Sequence, residues 1–283
     1  MATAADIKGE TPSGKGAGDE NFPVGSWLIP AHLRPHVAAY SAFARAIDDI
    51  ADNPTLPADE KIARLEGFAG ALDGRNPAPA YAKAHALRAT MLATGISTRR
   101  GLDLISAFKQ DAVKPRYETW DELINYCLRS AAPVGRFLCD LHGEDKALYP
   151  LSDALCNALQ VINHLQDCAK DYAEMDRVYL PQAWMRAEGT TVADLALPAT
   201  TPGLRRVLDA CVAGTEALMI EARKLPGAMK HPRLAAETAI IVSVADKLTQ
   251  RLGREDPLAG RVALGPFGYI GAMLGGLARL WLR

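Results

Sequence analysis

Apolar residues recur every three to four positions along nearly the whole chain, and no segment alternates apolar and polar residues as a strand would. The pattern predicts an all-α protein. Helices are expected over about 35–51, 58–72, 80–93 and 98–111, then from Thr119 onward, and over 202–225 and 231–252. In the first of these, Val37, Tyr40, Ala44, Ile47 and Ala51 form one seam, and Asn53-Pro54 ends the helix. Ser97 is read as the cap of the fourth. Lys114-Pro115-Arg116 reads as a linker, and Pro226-Gly227 as a turn.

Thr119-Trp120-Asp121-Glu122 has the form of a capping box and opens a long helix, with Leu123, Cys127, Val134, Leu138 and Leu141 on its apolar side. Pro133 inside that helix costs about 3 kcal/mol and should bend or open it. A break amid Ala131, Ala132 and Gly135 implies that something approaches closely, either a bulky ligand or a neighbouring helix. Arg136 next to it serves either a phosphate or a surface ion pair.

Two polar interruptions of this apolar pattern carry candidate chemistry. The first is Arg45-Ala46-Ile47-Asp48-Asp49-Ile50-Ala51-Asp52. At ~100° per residue, Arg45, Asp48, Asp49 and Asp52 share an arc of about 100°. Three anions so placed repel and raise one another's pKa, unless a cation joins them. Oxygen-only ligands suit magnesium, which commonly takes one or two carboxylates and fills its shell with water and phosphate oxygens. The plain alternative is a solvated helix end.

The second interruption lies in a helix expected to start with Ser152 as its cap. There Asn163, Asp167 and Asp171 follow at i, i+4, i+8, with Gln160, Gln166 and Lys170 on the same side. Ala154, Leu155, Ala158, Leu159, Ile162, Leu165 and Ala169 form its apolar side. Two such faces, meeting across a cavity, would hold several Mg2+ ions, with a diphosphate supplying the counter-charge. Asp48, Asp49, Asp52, Asp167 and Asp171 would then ligate metal, with Asn163 as a neutral oxygen donor. Arg45 would bind diphosphate, and Tyr40, two turns before Asp48, lies either at the cavity edge or in the core.

Composition narrows the class further. At 283 residues and a net charge of −1, nothing points to nucleic acid. Five cysteines without CxxC spacing read as reduced thiols, not a disulfide frame or zinc site. The six histidines show no HExxH or His–Cys spacing, and there is no P-loop or GxGxxG. Residues 1–20 read as a disordered tail with no apolar signal core, consistent with a cytoplasmic protein. Residues 264–283 are apolar and glycine-rich, but the uncharged run ahead of Arg279 is short of the ~20 residues that span a bilayer. They form either the last core helix or a segment on the inner face of a membrane. The membrane surface is preferred, because water-insoluble products leave through such surfaces.

Both acidic helices resemble those of the squalene/phytoene synthases, the head-to-head prenyl transferases. Tyr126-Cys127 through Ala131, Val134 and Gly135 resembles the family's YC-x-x-x-A-x-x-VG segment, and Asp171 through Asp176-Arg177-Val178-Tyr179-Leu180-Pro181 its D…GR-x-YLP ending. Asn21-Phe22-Pro23-Val24-Gly25-Ser26, Leu33-Arg34-Pro35-His36-Val37 and Asp48-Asp49-Ile50-Ala51-Asp52 look most like the bacterial hopanoid-pathway branch. The resemblance implies a single-domain isoprenoid-synthase bundle over 21–283 around a central cavity. It implies a flap near the diphosphate that includes Phe22, although a plain arm packing Phe22 and Trp27 is the alternative. It also implies diphosphate binding by Arg177, and substrate contacts from Tyr126, Ala131, Val134, Gly135, Gln160 and Tyr179.

The branch implies conversion of presqualene diphosphate and water to hydroxysqualene and diphosphate, with magnesium and without NADPH. Gln166 departs from the wider family, which carries arginine there, so a phosphate-binding cation is missing. Alternatives are condensation of two farnesyl or geranylgeranyl diphosphates and, remotely, a non-catalytic helical assembly protein. The latter is expected to lose its metal carboxylates, which this sequence keeps.

Overall fold

The computed structural model describes residues 28–281, and among these every regular element is helical. Backbone packing divides the chain at Lys114–Pro115, within the expected linker, into two compact units. The predicted arm and flap, Phe22 and Trp27 included, lie outside the described residues.

The first unit holds α1 (Arg34–Ala51), α2 (Ala58–Asp73), α3 (Ala82–Thr94) and α4 (Arg99–Asp111). Its core is aromatic at the centre: Phe68 meets Phe43 edge-on at 6.0 Å and Tyr81 at 5.2 Å. The α1 seam contains Val37, Tyr40, Ile47 and Ala51 as expected, but adds Phe43 and Ile50 while Ala44 is only half-buried. Gly101 lets α4 press against α2, since a Cβ there would come within 2.6 Å of Leu72. Ser97 helps open α4, its hydroxyl accepting the Arg99 N–H at 3.2 Å.

The second unit holds α5 (Trp120–Ser130), α6 (Ala132–Leu141), α7 (Tyr149–Gln166), α8 (Cys168–Met175), α9 (Gln182–Ala187), α10 (Pro202–Ala222), α11 (Leu225–Ala228), α12 (Pro232–Leu252) and α13 (Pro266–Trp281). Helix α7 is the hub, packing against α5, α6, α10 and α12. Thr119 caps α5 through the Glu122 N–H, and Thr201 caps α10 through the Leu204 N–H. The expected turn at Pro226-Gly227 is instead the one-turn helix α11, where Pro226 sits in the first turn and its missing N–H costs no helical hydrogen bond.

The long helix after Thr119 does open, at Ala131, and Pro133 sits in the first turn of α6, where its missing N–H costs nothing. Its expected apolar side is corrected in part. Leu123 and Cys127 are buried, but Val134 is 36% exposed and the core is filled by Tyr126, Phe137 and Cys139. Gly135 packs against α7: a Cβ would fall 2.4 Å from the Ser152 Oγ and 2.6 Å from the Cys156 Sγ. Close helix packing therefore accounts for this glycine. Ser152 is not a cap. Helix α7 starts three residues earlier at Tyr149, and Ser152 is buried in that interface.

All five thiols are free, as expected. Burial pushes Cys139 up to about 11 and Cys156 and Cys168 up to about 12, so all three stay protonated.

Candidate active site

Helix α1 places Asp48, Asp49 and Asp52 at its C-terminal end, where the helix dipole disfavours anions, and its last turn holds no basic residue. Lys61 of α2 reaches that end, donating to the Ala51 carbonyl at 2.8 Å. None of the three carboxylates is exposed: Asp49 is buried, and Asp48, Asp52 and Arg45 are half-buried. Tyr40 is a core residue, 3% exposed, with its hydroxyl donating to the Arg100 carbonyl at 3.3 Å.

The second acidic row is not one continuous helix. Helix α7 ends at Gln166, Asp167 stands at the bend, and α8 begins at Cys168. The row survives the bend because the Asp167 N–H still reaches the Asn163 carbonyl (3.0 Å) and the Asp171 N–H the Asp167 carbonyl (2.8 Å). Asn163, Asp167 and Asp171 are all half-buried, while Lys170 is exposed.

Gln166 does not join the polar face. It is 3% exposed and donates to the Val262 carbonyl, a contact with the segment after α12 that no helical wheel could foresee. That segment also brings Arg261, whose Nε lies 3.3 Å from Asp167 Oδ1. The cation missing at position 166 thus has a counterpart from elsewhere in the chain, and sequence reading overlooked it.

Around the bend stands an aromatic group that the sequence hinted at only through its tyrosines. His164 stacks on Tyr179 at 3.5 Å, and Tyr126 and Tyr117 pack against Tyr179 at 5.7 and 5.5 Å. Burial, with the nearby Arg177 charge adding to it, pushes His164 down to about 3, so the ring is neutral. The Gln160 Nε2 lies 3.2 Å from its Nε2, and with the amide donating, the ring proton sits on Nδ1.

The DRxYLP stretch is held extended by the chain before α5: the Val178 N–H donates to the Pro115 carbonyl at 2.9 Å and the Gln182 N–H to the Tyr117 carbonyl at 2.9 Å. Asp176, standing where the family motif has glycine, adopts φ +50°. Aspartate tolerates this left-handed region better than most residues, and Arg116 grips its carboxylate at 2.6 Å. Arg177 is buried, and its N–H caps the Asp171 carbonyl at 3.1 Å. Arg136 pairs with Asp153, Nε to Oδ1 at 2.7 Å, so the ion-pair alternative holds for it. Ala131 is half-buried at the α5–α6 break.

Among the described residues no three His, Cys, Asp or Glu side chains gather as a ready-made metal cage. The donors are all hard oxygens; Asp48 and Asp52, and Asn163, Asp167 and Asp171, are half-buried and spaced one turn apart, which suits an ion that keeps waters and phosphate oxygens in its shell.

The squalene/phytoene synthase family model matches residues 16–267. The chain belongs to the squalene/phytoene synthase family. Within it, the chain is 41% identical over 278 residues to a hydroxysqualene synthase of Rhodopseudomonas palustris, covering 98% of this chain and 93% of that protein. It is 43% identical over 252 residues to a hydroxysqualene synthase of Zymomonas mobilis, covering 88% and 84%. Among solved structures, squalene synthase HpnC from Alicyclobacillus acidocaldarius superposes with a TM-score of 0.72 at 34% identity, over 84% of this chain and 90% of that one. The helical isoprenoid-synthase fold expected from the motifs is therefore the fold found.

Proposed function

We propose that this chain converts presqualene diphosphate and water to hydroxysqualene and diphosphate. The observation that carries the reading is identity of 41–43%, spread over most of the chain, with relatives named for hydroxysqualene synthesis. Asp48, Asp49, Asp52, Asp167, Asp171 and Asn163 would hold several magnesium ions, and Arg45, Arg177 and Arg261 would supply positive charge to the same diphosphate. Held by these side chains, magnesium would supply positive charge to the diphosphate as a leaving group. The chain's own part is to bind, to keep bulk water from the carbocation, and to admit one water for capture. The C–O bond to diphosphate breaks, the cyclopropane rearranges, and a new C–O bond forms to water. No electrons are gained or lost, so NADPH has no role.

The test is incubation of purified protein and magnesium with presqualene diphosphate and, separately, with farnesyl diphosphate, followed by mass spectrometry of the lipid. Hydroxysqualene from the first is expected. Product from farnesyl diphosphate alone would instead establish the condensing reaction.

We also propose that α13 rests on a membrane surface. No described helix is long and apolar enough to cross a membrane. The inner side of α13 packs closely on α12, where a Cβ on Gly276 would meet the Ala239 carbonyl at 2.5 Å. Its outer side shows Phe267, Ile270, Leu274 and Trp281, all exposed. From residue 257 to 283 the only charges are Arg261, Arg279 and Arg283, so this stretch suits an anionic lipid surface. Sedimentation with phosphatidylglycerol vesicles, lost on Leu274→Glu, is the expected result. A protein that stays in the supernatant overturns this reading.

A further inference from the structure

A cleft of about 120 Å³ opens beside α13. Its walls are Pro226 of α11, Ala239 and Val242 of α12 and Leu280 of α13, and its charged groups are Arg223 of α10 and Arg279 of α13. One water takes roughly 10–15 Å³ of such space, so the cleft has room for several waters or for one phosphate-sized group. Two guanidinium groups and no carboxylate line it.

Asp246 of α12 sets the two arginines side by side. It is buried, and each of its oxygens takes one guanidinium: Arg223 Nε donates to Oδ1 at 2.9 Å and Arg279 Nη1 to Oδ2 at 3.1 Å. Arg223 has a second acid, Glu216, 2.8 Å from its Nη2 and outside the cleft lining. Among the described residues no acceptor meets Arg279 Nε and Nη2 or Arg223 Nη1. Each guanidinium has five N–H donors in a planar fork, so both keep donors open towards the cleft mouth. The Arg279 side chain is 66% exposed against 7% for Asp246, which makes the carboxylate a buried template and the arginine its open edge. Counting Glu216, the four groups sum to no net charge, but their surroundings do not. Residues 223–233, which lead from α10 into α12, hold Arg223, Lys224, Lys230 and Arg233 and no acid, and the last three are exposed.

Exposed apolar side chains adjoin these cations on two helices. Trp281 follows Leu280 on α13, and Ile220 stands one turn before Arg223 on α10. Cations beside exposed apolar surface suit a molecule with an anionic head and an apolar tail. We propose that the cleft takes the phosphodiester of an anionic glycerophospholipid, with Arg279 and Arg223 binding its oxygens and the acyl chains following the outer side of α13. The inference rests on the membrane contact proposed above and gives that contact a headgroup site. A planar guanidinium fork matches two phosphate oxygens at once, which the point charge of a lysine does not. Free phosphate shares the head but has no tail to meet Ile220 and Trp281.

The test is sedimentation of the full chain with vesicles of mixed phosphatidylglycerol and phosphatidylcholine, read as the apparent Kd. One basic charge near an anionic leaflet is worth about five-fold, so Lys230→Gln, outside the cleft, should weaken binding by no more than that. Arg279→Gln should weaken it by ~20-fold or more, because fork and charge are both lost. Arg279→Lys keeps the charge and should still weaken it by about five-fold or more. It also decides the matter if the glutamine variant loosens α13. Soluble short-chain phosphatidylglycerol should raise the melting temperature of the unaltered protein but not of Arg279→Lys, and inorganic phosphate at the same concentration should raise neither. Sedimentation that Arg279→Lys leaves unchanged, with Arg279→Gln no worse than Lys230→Gln, would mean a merely basic surface and overturn the headgroup site alone. Equal stabilisation by inorganic phosphate would overturn a lipid as the occupant. An unaltered protein that stays in the supernatant overturns the membrane contact and this proposal with it.

Discussion

The acidic end of α1 and the α7–α8 corner carry similar rows of carboxylates on differently built supports. In α1 the three carboxylates ride on one unbroken helix, and the residue that steadies its end, Lys61, is only ten positions away from the carbonyl it caps. At the corner, the acid row bends at Asp167, and its fastening comes from 96 residues further along, through Gln166 and Val262. Arg261, next to that fastening, lies beside Asp167. A carboxylate row on a straight helix is a local property of sequence. A carboxylate row at a bend depends on what the rest of the chain brings to it.

The largest expected effect tests whether the two rows are equals in chemistry. Asp48→Asn and Asp171→Asn should each slow turnover by ~10²-fold or more, with unchanged circular dichroism, since each removes charge worth several kcal/mol in the transition state. A fully active variant on either side would make that row a structural feature only.

A medium effect should separate the two supports. Gln166→Leu leaves the Val262 carbonyl without its donor in a buried setting, at a cost of about 1–3 kcal/mol. Urea unfolding should show that loss, and the magnesium concentration for half-maximal rate should rise, because Arg261 and Asp167 lose their registration. Equal stability and equal magnesium dependence would mean that the corner stands without its distant fastening.

The smallest effect belongs to α1. Lys61→Met removes a cation from the negative end of the helix dipole and should cost about 0.3–1 kcal/mol in urea unfolding, with turnover within two-fold. A loss as large as that of Gln166→Leu would erase the distinction between local and distant support.

This contrast also explains what could be read from the sequence. The helices, the break before Pro133, the linker at Lys114–Pro115 and the spacing of both acid rows follow from local periodicity and from proline's missing N–H. Apart from the Pro226-Gly227 turn, which is a short helix for a local reason, the misplacements of Ser152 and Gln166 involve partners distant in sequence. Ser152 looked like a cap because serine often is one, but its hydroxyl lies in the Gly135 interface. Gln166 looked like part of a polar face because a helical wheel knows nothing of Val262. His164 was passed over as one of several scattered histidines, and only the fold sets it on Tyr179. Asp246 carried no signal, since a carboxylate shared by arginines of two other helices is defined by surroundings that a sequence does not state.

The fastening of Gln166 to Val262 has a practical corollary for anyone tempted to trim the apolar end of this protein. Residues 261 and 262 are the bridge from α12 towards α13, so a cut placed ahead of Arg261 would take away more than a greasy appendage. It would strip the guanidinium from beside Asp167 and the Val262 carbonyl from the Gln166 amide. The tail and the acidic corner are therefore one mechanical piece, and solubility gained by shortening the first would be drawn from the second.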